Sequence, residues 1–274
     1  MFAHQFATGG DFITDRTARW YWAGLMAFAI GSVLVFRFSQ PLLYSYRHRL
    51  RVENVVQEAD GVSSIIIGGD DLHRLAAAPG QFFVWRFLTR HHWWRAHPFS
   101  LSAVPDGTRL RITVKAVGDG THDLQRVHRG TRVIAEGPYG HLTSTLRTRQ
   151  KVLLIAGGVG ITPLRALFEE LTSTPSDVVL LYRARKWDDV LFRAELDELA
   201  KRRGATIHYK VGRRGTKAMP VDPLRAEELG RLVPDVRQRD IFLCGPPEMA
   251  ATTRRSLHRL GVTEQHIHSE AFAY

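Results

Sequence analysis

Residues 153–164 read LLIAGGVGITPL, an apolar run, a glycine turn and the opening of a helix. Gly157, Gly158 and Gly160 let the backbone turn tightly and approach a pyrophosphate with no side chain in the way. The helix that follows offers its free N–H groups and positive dipole end to phosphate oxygens. Thr162 supplies a hydroxyl, and Pro163 suits the first helical turn, where its missing N–H costs nothing. A glycine turn alone is often just a tight strand–helix connection. Between a strand and a helix it points to a dinucleotide.

Working outward, strand and helix alternate from residue 149 to 274. KVLLIAG, DVVLLYRAR, ATIHYKVG and DIFLCG read as strands, with ITPLRALFEELTS, DVLFRAELDELAKR, PLRAEELGRLV and PEMAATTRRSLHRLG as helices between and after them. Such alternation predicts an α/β nucleotide-binding domain, a parallel sheet with helices on both faces. Residues 46–148 differ: LRVENVVQE, SSIIIGG, GQFFVWRFL, PFSLSAVP, LRITVKAVG and TRVIAEGPYG are short runs between turn signals. They predict an antiparallel β-barrel or sandwich. The fold class therefore changes near residue 148.

The second strand of the α/β domain ends in Tyr182-Arg183-Ala184-Arg185-Lys186, with no acid before Asp188. An NAD site commonly places an acid there for the ribose hydroxyls, whereas guanidinium groups suit a 2′-phosphate. Arg183 and Arg185, joined by Arg213 and Arg214 after the next strand, favour NADPH over NADH; a solvated basic loop is the alternative. The fourth strand delivers Cys244, Gly245 and Pro246 to the same sheet edge, beside the expected nicotinamide. Taken alone, Cys244 reads better as a buried structural thiol.

The formal charge is +11 over 274 residues. It fits an anionic membrane face or a phosphorylated dinucleotide, and no zinc-finger, homeodomain or RNA-binding motif accompanies it to indicate nucleic acid. A single cysteine excludes an intrachain disulfide and a cysteine-ligated iron–sulfur cluster.

Trp20–Phe36, WYWAGLMAFAIGSVLVF, carries no charge over seventeen residues. As a helix it is roughly 25 Å long, near the short end for a membrane span. Aromatic residues open it, and Arg37, Arg47, Arg49 and Arg51 follow it, while residues 1–19 hold two acids and two arginines. The pattern predicts a single transmembrane helix over about residues 20–37 within an N-terminal segment 1–45. It places residue 1 outside and both domains in the cytoplasm. A buried core helix is the alternative, and a cleaved leader fits poorly because a basic leader region is missing.

HPFSLS, GDGT, AGGVGITPL, LYRAR, CGPPEM and the ending EAFAY, in this order, resemble the ferredoxin–NADP reductase superfamily over residues 45–274. More narrowly they are similar to the cytoplasmic half of ferric reductases and NADPH oxidases. The resemblance implies a barrel that binds FAD and an α/β domain that binds the nicotinamide nucleotide. His97, Pro98, Phe99 and Ser100 match the flavin motif, with Phe99 packed on the ring and the Ser100 hydroxyl near N5. Lys115, Gly118 and Thr121 match the segment that meets the FAD pyrophosphate. Phe272, or alternatively Tyr274, matches the aromatic that covers the flavin. Ser100, Cys244 and Phe272 thus become the expected catalytic residues.

The implied chemistry is hydride transfer from NADPH to FAD, then single electrons to ferric iron, oxygen or a haem partner. His4 matches a haem-ligating histidine of the family's membrane bundle. The remaining ligands are missing, so haem b requires helices from a partner subunit or from an upstream part of a longer gene. Two other outcomes stay open: a truncated inactive piece of a haem-containing reductase, and a non-enzymatic nucleotide-binding module.

Overall fold

A computed structural model of the chain describes residues 16–36, 40–90, 93–172, 177–213, 215–216 and 219–271. His4, Arg214, Phe272 and Tyr274, named above, lie outside them. The chain divides into two compact units, Met1–Arg47 and His48–Tyr274.

The first unit holds helix α1 (Arg16–Leu34) and most of α2 (Gln40–His48). The expected membrane span is not met: among the described residues no helix is long and apolar enough to cross a membrane. The reason lies in the placement of α1. Its first turn is spent on Arg16 and Arg19, and only the fifteen residues Trp20–Leu34 are free of charge. That is about 22 Å of helix against a hydrocarbon core of about 30 Å. With the span goes the basis for placing residue 1 outside and the two domains in the cytoplasm.

In the second unit, strands β1 (Arg51–Ala59), β2 (Val62–Gly68) and β5 (Arg109–Lys115) make one antiparallel sheet. β3 (Phe82–Phe87), β4 (His97–Ser100) and β6 (Val133–Tyr139) make another, in the order β4-β3-β6. Bridges Arg51–Arg132 and Leu101–Ile112 join the two at both seams, so the strands close into a barrel. Strand β3 shows why. Phe83, Trp85 and Phe87 alternate with less buried neighbours and fill the interior. The Trp85 indole N–H donates to the Phe99 carbonyl at 3.0 Å, tying β4 to the core. A short helix, α3 (Asp119–Leu124), follows β5.

A five-stranded parallel sheet follows, in the order β11-β10-β7-β8-β9. Its strands are β7 (Lys151–Gly157), β8 (Asp177–Ala184), β9 (Thr206–Val211), β10 (Arg239–Gly245) and β11 (Ile267–Ala271). In β7 and β10 nearly every residue is buried, as a central parallel strand covered on both faces requires. Val152, Leu154 and Ala156 pack on one face with Ile161, Leu164 and Phe168 of α4 (Ile161–Leu171) and Leu196 of α5 (Arg193–Arg203). Leu153 and Ile155 pack on the other with Leu229 of α6 (Ala226–Leu232) and Leu257 of α7 (Pro247–Arg259). The chain builds outward from β7 to β9, then crosses back to β10. The sheet's switch point thus lies between the ends of β7 and β10.

Asp240, at the start of β10, anchors the segment joining the two domains. Its carboxylate accepts the N–H groups of Thr148 and Arg149 at 2.6 Å each, and His266 Nδ1 lies 2.9 Å away. Burial alone raises this carboxyl's pKa, but the donors outweigh it and hold it below the usual range. Such a group stabilises the fold above its unfolded pKa, and the gain is lost as pH falls through the folded one. Asp240→Ala removes the acceptor of two part-buried amides, so we expect unfolding to become easier by about 1–3 kcal/mol at pH 7. Denaturant melts at pH 7 and about pH 3 test this, and the gap should shrink at the lower pH.

Candidate functional site

The switch point carries the glycine turn. Gly158 adopts the left-handed conformation (φ 55°), and a side chain there meets nothing within 4 Å, so it faces open space. Gly160 is the opposite case. A Cβ there falls well inside van der Waals contact with the Cys244 carbonyl, so α4 begins against the end of β10 only because residue 160 has none. The Tyr182 hydroxyl lies 3.3 Å from both the Gly158 and Asp189 carbonyls and accepts the Leu191 N–H at 3.2 Å. Burial pushes this phenol's pKa up, keeping the hydroxyl protonated.

A cleft of about 810 Å³ opens over the turn, within the size range of small-molecule sites. Gly157, Gly158, Gly160, Arg183, Arg185, Arg213, Gly245 and Pro246 line it, with Lys115 and Val117 from the barrel. Thr162 and Pro163 are buried beneath, and the Thr162 hydroxyl donates to the Val159 carbonyl at 2.9 Å. The arginines differ in kind. Arg183, with 11% of its side chain exposed, donates to the Gly212 carbonyl at 3.1 Å and pairs with Asp222 at 3.8 Å. Arg185 and Arg213 are exposed on the cleft wall, facing a cleft that Asp188 and Asp189 also line.

The barrel also presents β4. The His97 and Phe99 rings stack with centroids 5.8 Å apart and planes 8° from parallel. Ser100 alternates to the other side, 4% exposed, with its Oγ lacking a hydrogen-bond partner among the described residues. Across the sheet Ser100 is level with Phe82, which pairs with Tyr139, and those two rings lie 5.7 Å apart. Pro98 is exposed on β4. Gly118 and Thr121 close on themselves: the Thr121 hydroxyl accepts the Val117 and Gly118 N–H groups at 2.9 and 3.0 Å.

Sequence reasoning missed Glu270. The EAFAY ending opens with it without giving it a role, but β11 carries it to a position level with Cys244 on β10. A Cβ at Gly140 would stand 3.1 Å from both Glu270 Oε1 and the Phe82 ring, so Glu270 reaches the barrel row that contains Ser100. Its Oε2 also lacks a partner among the described residues, and burial raises the carboxyl's pKa against the opposing pull of His141. Cys244 is fully buried in the core beneath α4, and burial, then Glu270, pushes its thiol well up. It does not line the cleft through its side chain.

Residues 154–255 match an oxidoreductase NAD-binding domain, and residues 69–143 match an FAD-binding domain. The ferredoxin reductase component of 3-ketosteroid-9-alpha-monooxygenase from Mycolicibacterium smegmatis is 31% identical, over 84% of this chain and 67% of that protein. This chain belongs to the ferredoxin–NADP reductase superfamily. It carries the two domains of an NAD(P)H-dependent FAD oxidoreductase, and its cofactors are FAD and NAD(P)H. A further superfamily relative, the glycine betaine monooxygenase reductase subunit of Chromohalobacter salexigens, is 29% identical over 82% of this chain. The chain spans about two thirds of the length of these relatives, 67% and 64%. The superfamily fold is also that of the FAD/NAD-binding domain of Vibrio cholerae nitric oxide dioxygenase: TM-score 0.68, 22% identity, 81% of this chain and 98% of that one.

The residues present fit both cofactors. Ser100 and Glu270 leave buried polar atoms without partners where the barrel meets the sheet edge. A raised carboxyl pKa means that stability is greatest while Glu270 is protonated and declines as pH rises through that value. Glu270→Gln, which cannot ionise, should therefore melt higher than the parent at pH 8. The two should converge at about pH 4, where both side chains are neutral.

Proposed function

We propose that this chain moves a hydride from NADPH to FAD and releases the electrons to a one-electron acceptor protein. The observation that carries the proposal is the meeting of the Ser100–Phe82–Tyr139 row with the Cys244–Glu270 edge, beside a cleft built on a glycine turn. When bound, FAD takes up a hydride from nicotinamide C4, two electrons with a proton, and can give the electrons up singly.

The chain's own groups do the rest. The turn at 157–160 seats the pyrophosphate without side-chain interference, and the α4 N-terminus favours its charge. Ser100 offers a hydroxyl that nothing else engages, suited to a nitrogen that gains and loses a proton. Glu270, held towards its neutral form, can pass a proton at the same junction. Cys244 keeps an un-ionised thiol under the reacting edge and adds no charge there. Phe99, stacked on His97, offers an aromatic face at the FAD side.

Among the described residues, Arg185 and Arg213 are the cleft-lining arginines left to bind a 2′-phosphate, since Arg183 is engaged by Gly212 and Asp222. NADPH is therefore the proposed donor. The relatives' names place them as reductase components of oxygenases, which supports a small redox protein as acceptor. The His97-Pro98-Phe99-Ser100 motif favours a ferric-reductase-like acceptor instead, and turnover with ferric chelate above that with a ferredoxin would select it.

Protein loaded with FAD should bleach on anaerobic addition of NADPH. Failure to retain FAD, or a flavin that stays oxidised, overturns the proposal. Ser100→Ala should slow bleaching by about 10–100-fold, ~1.4–2.7 kcal/mol of barrel-side stabilisation, with FAD still bound. Arg185→Ala combined with Arg213→Ala should raise the KM for NADPH about tenfold while leaving that for NADH unchanged. Equal effects on both would remove the 2′-phosphate assignment.

A further inference from the structure

Away from the cleft, four charged side chains join the barrel to the α/β domain. Arg111 of β5 grips Glu195 of α5 with both prongs, Nη1–Oε1 at 2.9 Å and Nη2–Oε2 at 3.0 Å. Its Nη2 also donates to the Ser102 carbonyl at 2.7 Å. Arg165 of α4 pairs with Glu195 at 2.8 Å and with Glu169. Glu169 in turn accepts the Val104 N–H of the barrel at 3.1 Å. Only 15% of the Arg111 side chain and 8% of Arg165 are exposed, against 38% of Glu195 and 31% of Glu169, so solvent screens the guanidinium ends less than the carboxylates.

Two arginines and two glutamates balance, and each is held by more than one partner. Bidentate guanidinium–carboxylate pairing fixes angle as well as distance. The guanidinium of Arg111 also lies over the Phe192 ring, 5.0 Å from its centroid. Phe192 has φ 58°, a left-handed backbone that non-glycine residues seldom adopt unless their surroundings impose it.

What the cluster connects is specific. Ser102 stands two residues beyond Ser100, and its hydroxyl is bonded to Thr113 at 2.8 Å, so its position is shared with β5. Arg165 and Glu169 ride on α4, whose first residues follow the glycine turn. The ion pairs thus link the strand bearing Ser100 to the helix that starts at the nucleotide turn.

We infer that Arg111, through Glu195, is a positioning residue that sets the distance and angle between donor and acceptor in hydride transfer. This rests on the flavin reductase function proposed above. Displacements of about 1 Å cost on the order of 100-fold in rate, a sensitivity that a stiff two-domain clamp exists to meet.

The test uses the FAD-loaded chain and its Arg111→Met, Arg111→Lys and Glu195→Gln variants. Anaerobic stopped-flow follows reduction by NADPH carrying hydrogen or deuterium at C4. Arg111→Met should slow flavin reduction about 30–100-fold with a larger isotope effect, while the Kd for NADPH stays within twofold. Arg111→Lys should recover part of the rate. Reoxidation of dithionite-reduced flavin by ferricyanide should be unchanged. Amide hydrogen exchange at Val104 should rise in Arg111→Met, with the rest of the barrel unaltered. Parental reduction rates in Arg111→Met, or unchanged exchange at Val104, overturn the clamp. So does a rate loss that merely tracks lost FAD. If the parent chain itself is not reduced by NADPH, the function proposed above fails and the clamp fails with it, a result distinct from a reactive parent with indifferent variants.

Discussion

The absence of a side chain at residue 160 decides how closely α4 can begin against β10, and much of the second unit depends on that distance. The Cys244 carbonyl occupies the space a Cβ would need. Because contact is made backbone to backbone, the ends of β7 and β10 stay adjacent, and the parallel sheet opens its switch point there. The same closeness brings Gly157 against Gly245, with the Met249 side chain packed on both and lining the cleft. Tyr182 pins the turn from below, where its hydroxyl reaches both Gly158 and the chain at 189–191. A flexible turn is thereby held by a rigid core residue.

Two kinds of electrostatics operate at different depths. At the junction of barrel and sheet the groups are kept towards neutrality: burial raises the Glu270 carboxyl, the Cys244 thiol and the Tyr182 phenol. Charge is concentrated elsewhere, in clusters that compensate internally. Arg239 is held by Asp235 and Asp177 at the opposite edge of the sheet, and Arg183 by Asp222. A buried arginine left unpaired would cost several kcal/mol, so its partners come with it. The excess of +11 is therefore carried by side chains outside these clusters, such as Arg185 and Arg213 on the cleft wall.

How much of this was legible in the sequence follows from range. Periodicity reads local burial, so the barrel strands and the alternating β7–α4–β8 pattern were visible, and KVLLIAG coincides with β7. Strand β11 is not legible, because five residues with three consecutive polar side chains lack a period; they become a strand only by lying beside β10. Glu270 opens the EAFAY ending, but its place beside Cys244 depends on that pairing. Arg183 and Arg185 are alike in the sequence, two residues apart, yet one turns back to Gly212 and Asp222 while the other reaches the cleft. Partners 29 and 39 residues away in the chain decide that difference. The membrane span fails on placement: the uncharged run covers Trp20 to Phe36, but α1 spends its first turn on Arg16 and Arg19 and ends at Leu34.

A hydride donor and acceptor held on different domains need both a dry, uncharged meeting place and a fixed separation, and the two demands conflict. Apolar packing gives dryness but slides easily, since it has little directional preference. Directional bonds fix geometry but bring charge and water. Here the conflict is resolved by distance along the strands. The charged, bidentate contacts sit at Arg111, Glu195 and Arg165, while Ser100, Phe82 and Glu270 lie with little charge where the barrel meets the sheet edge. Rigid β-strands and the α4 helix carry the alignment from one place to the other, so the junction obtains its geometry from groups whose charges it does not have to accommodate.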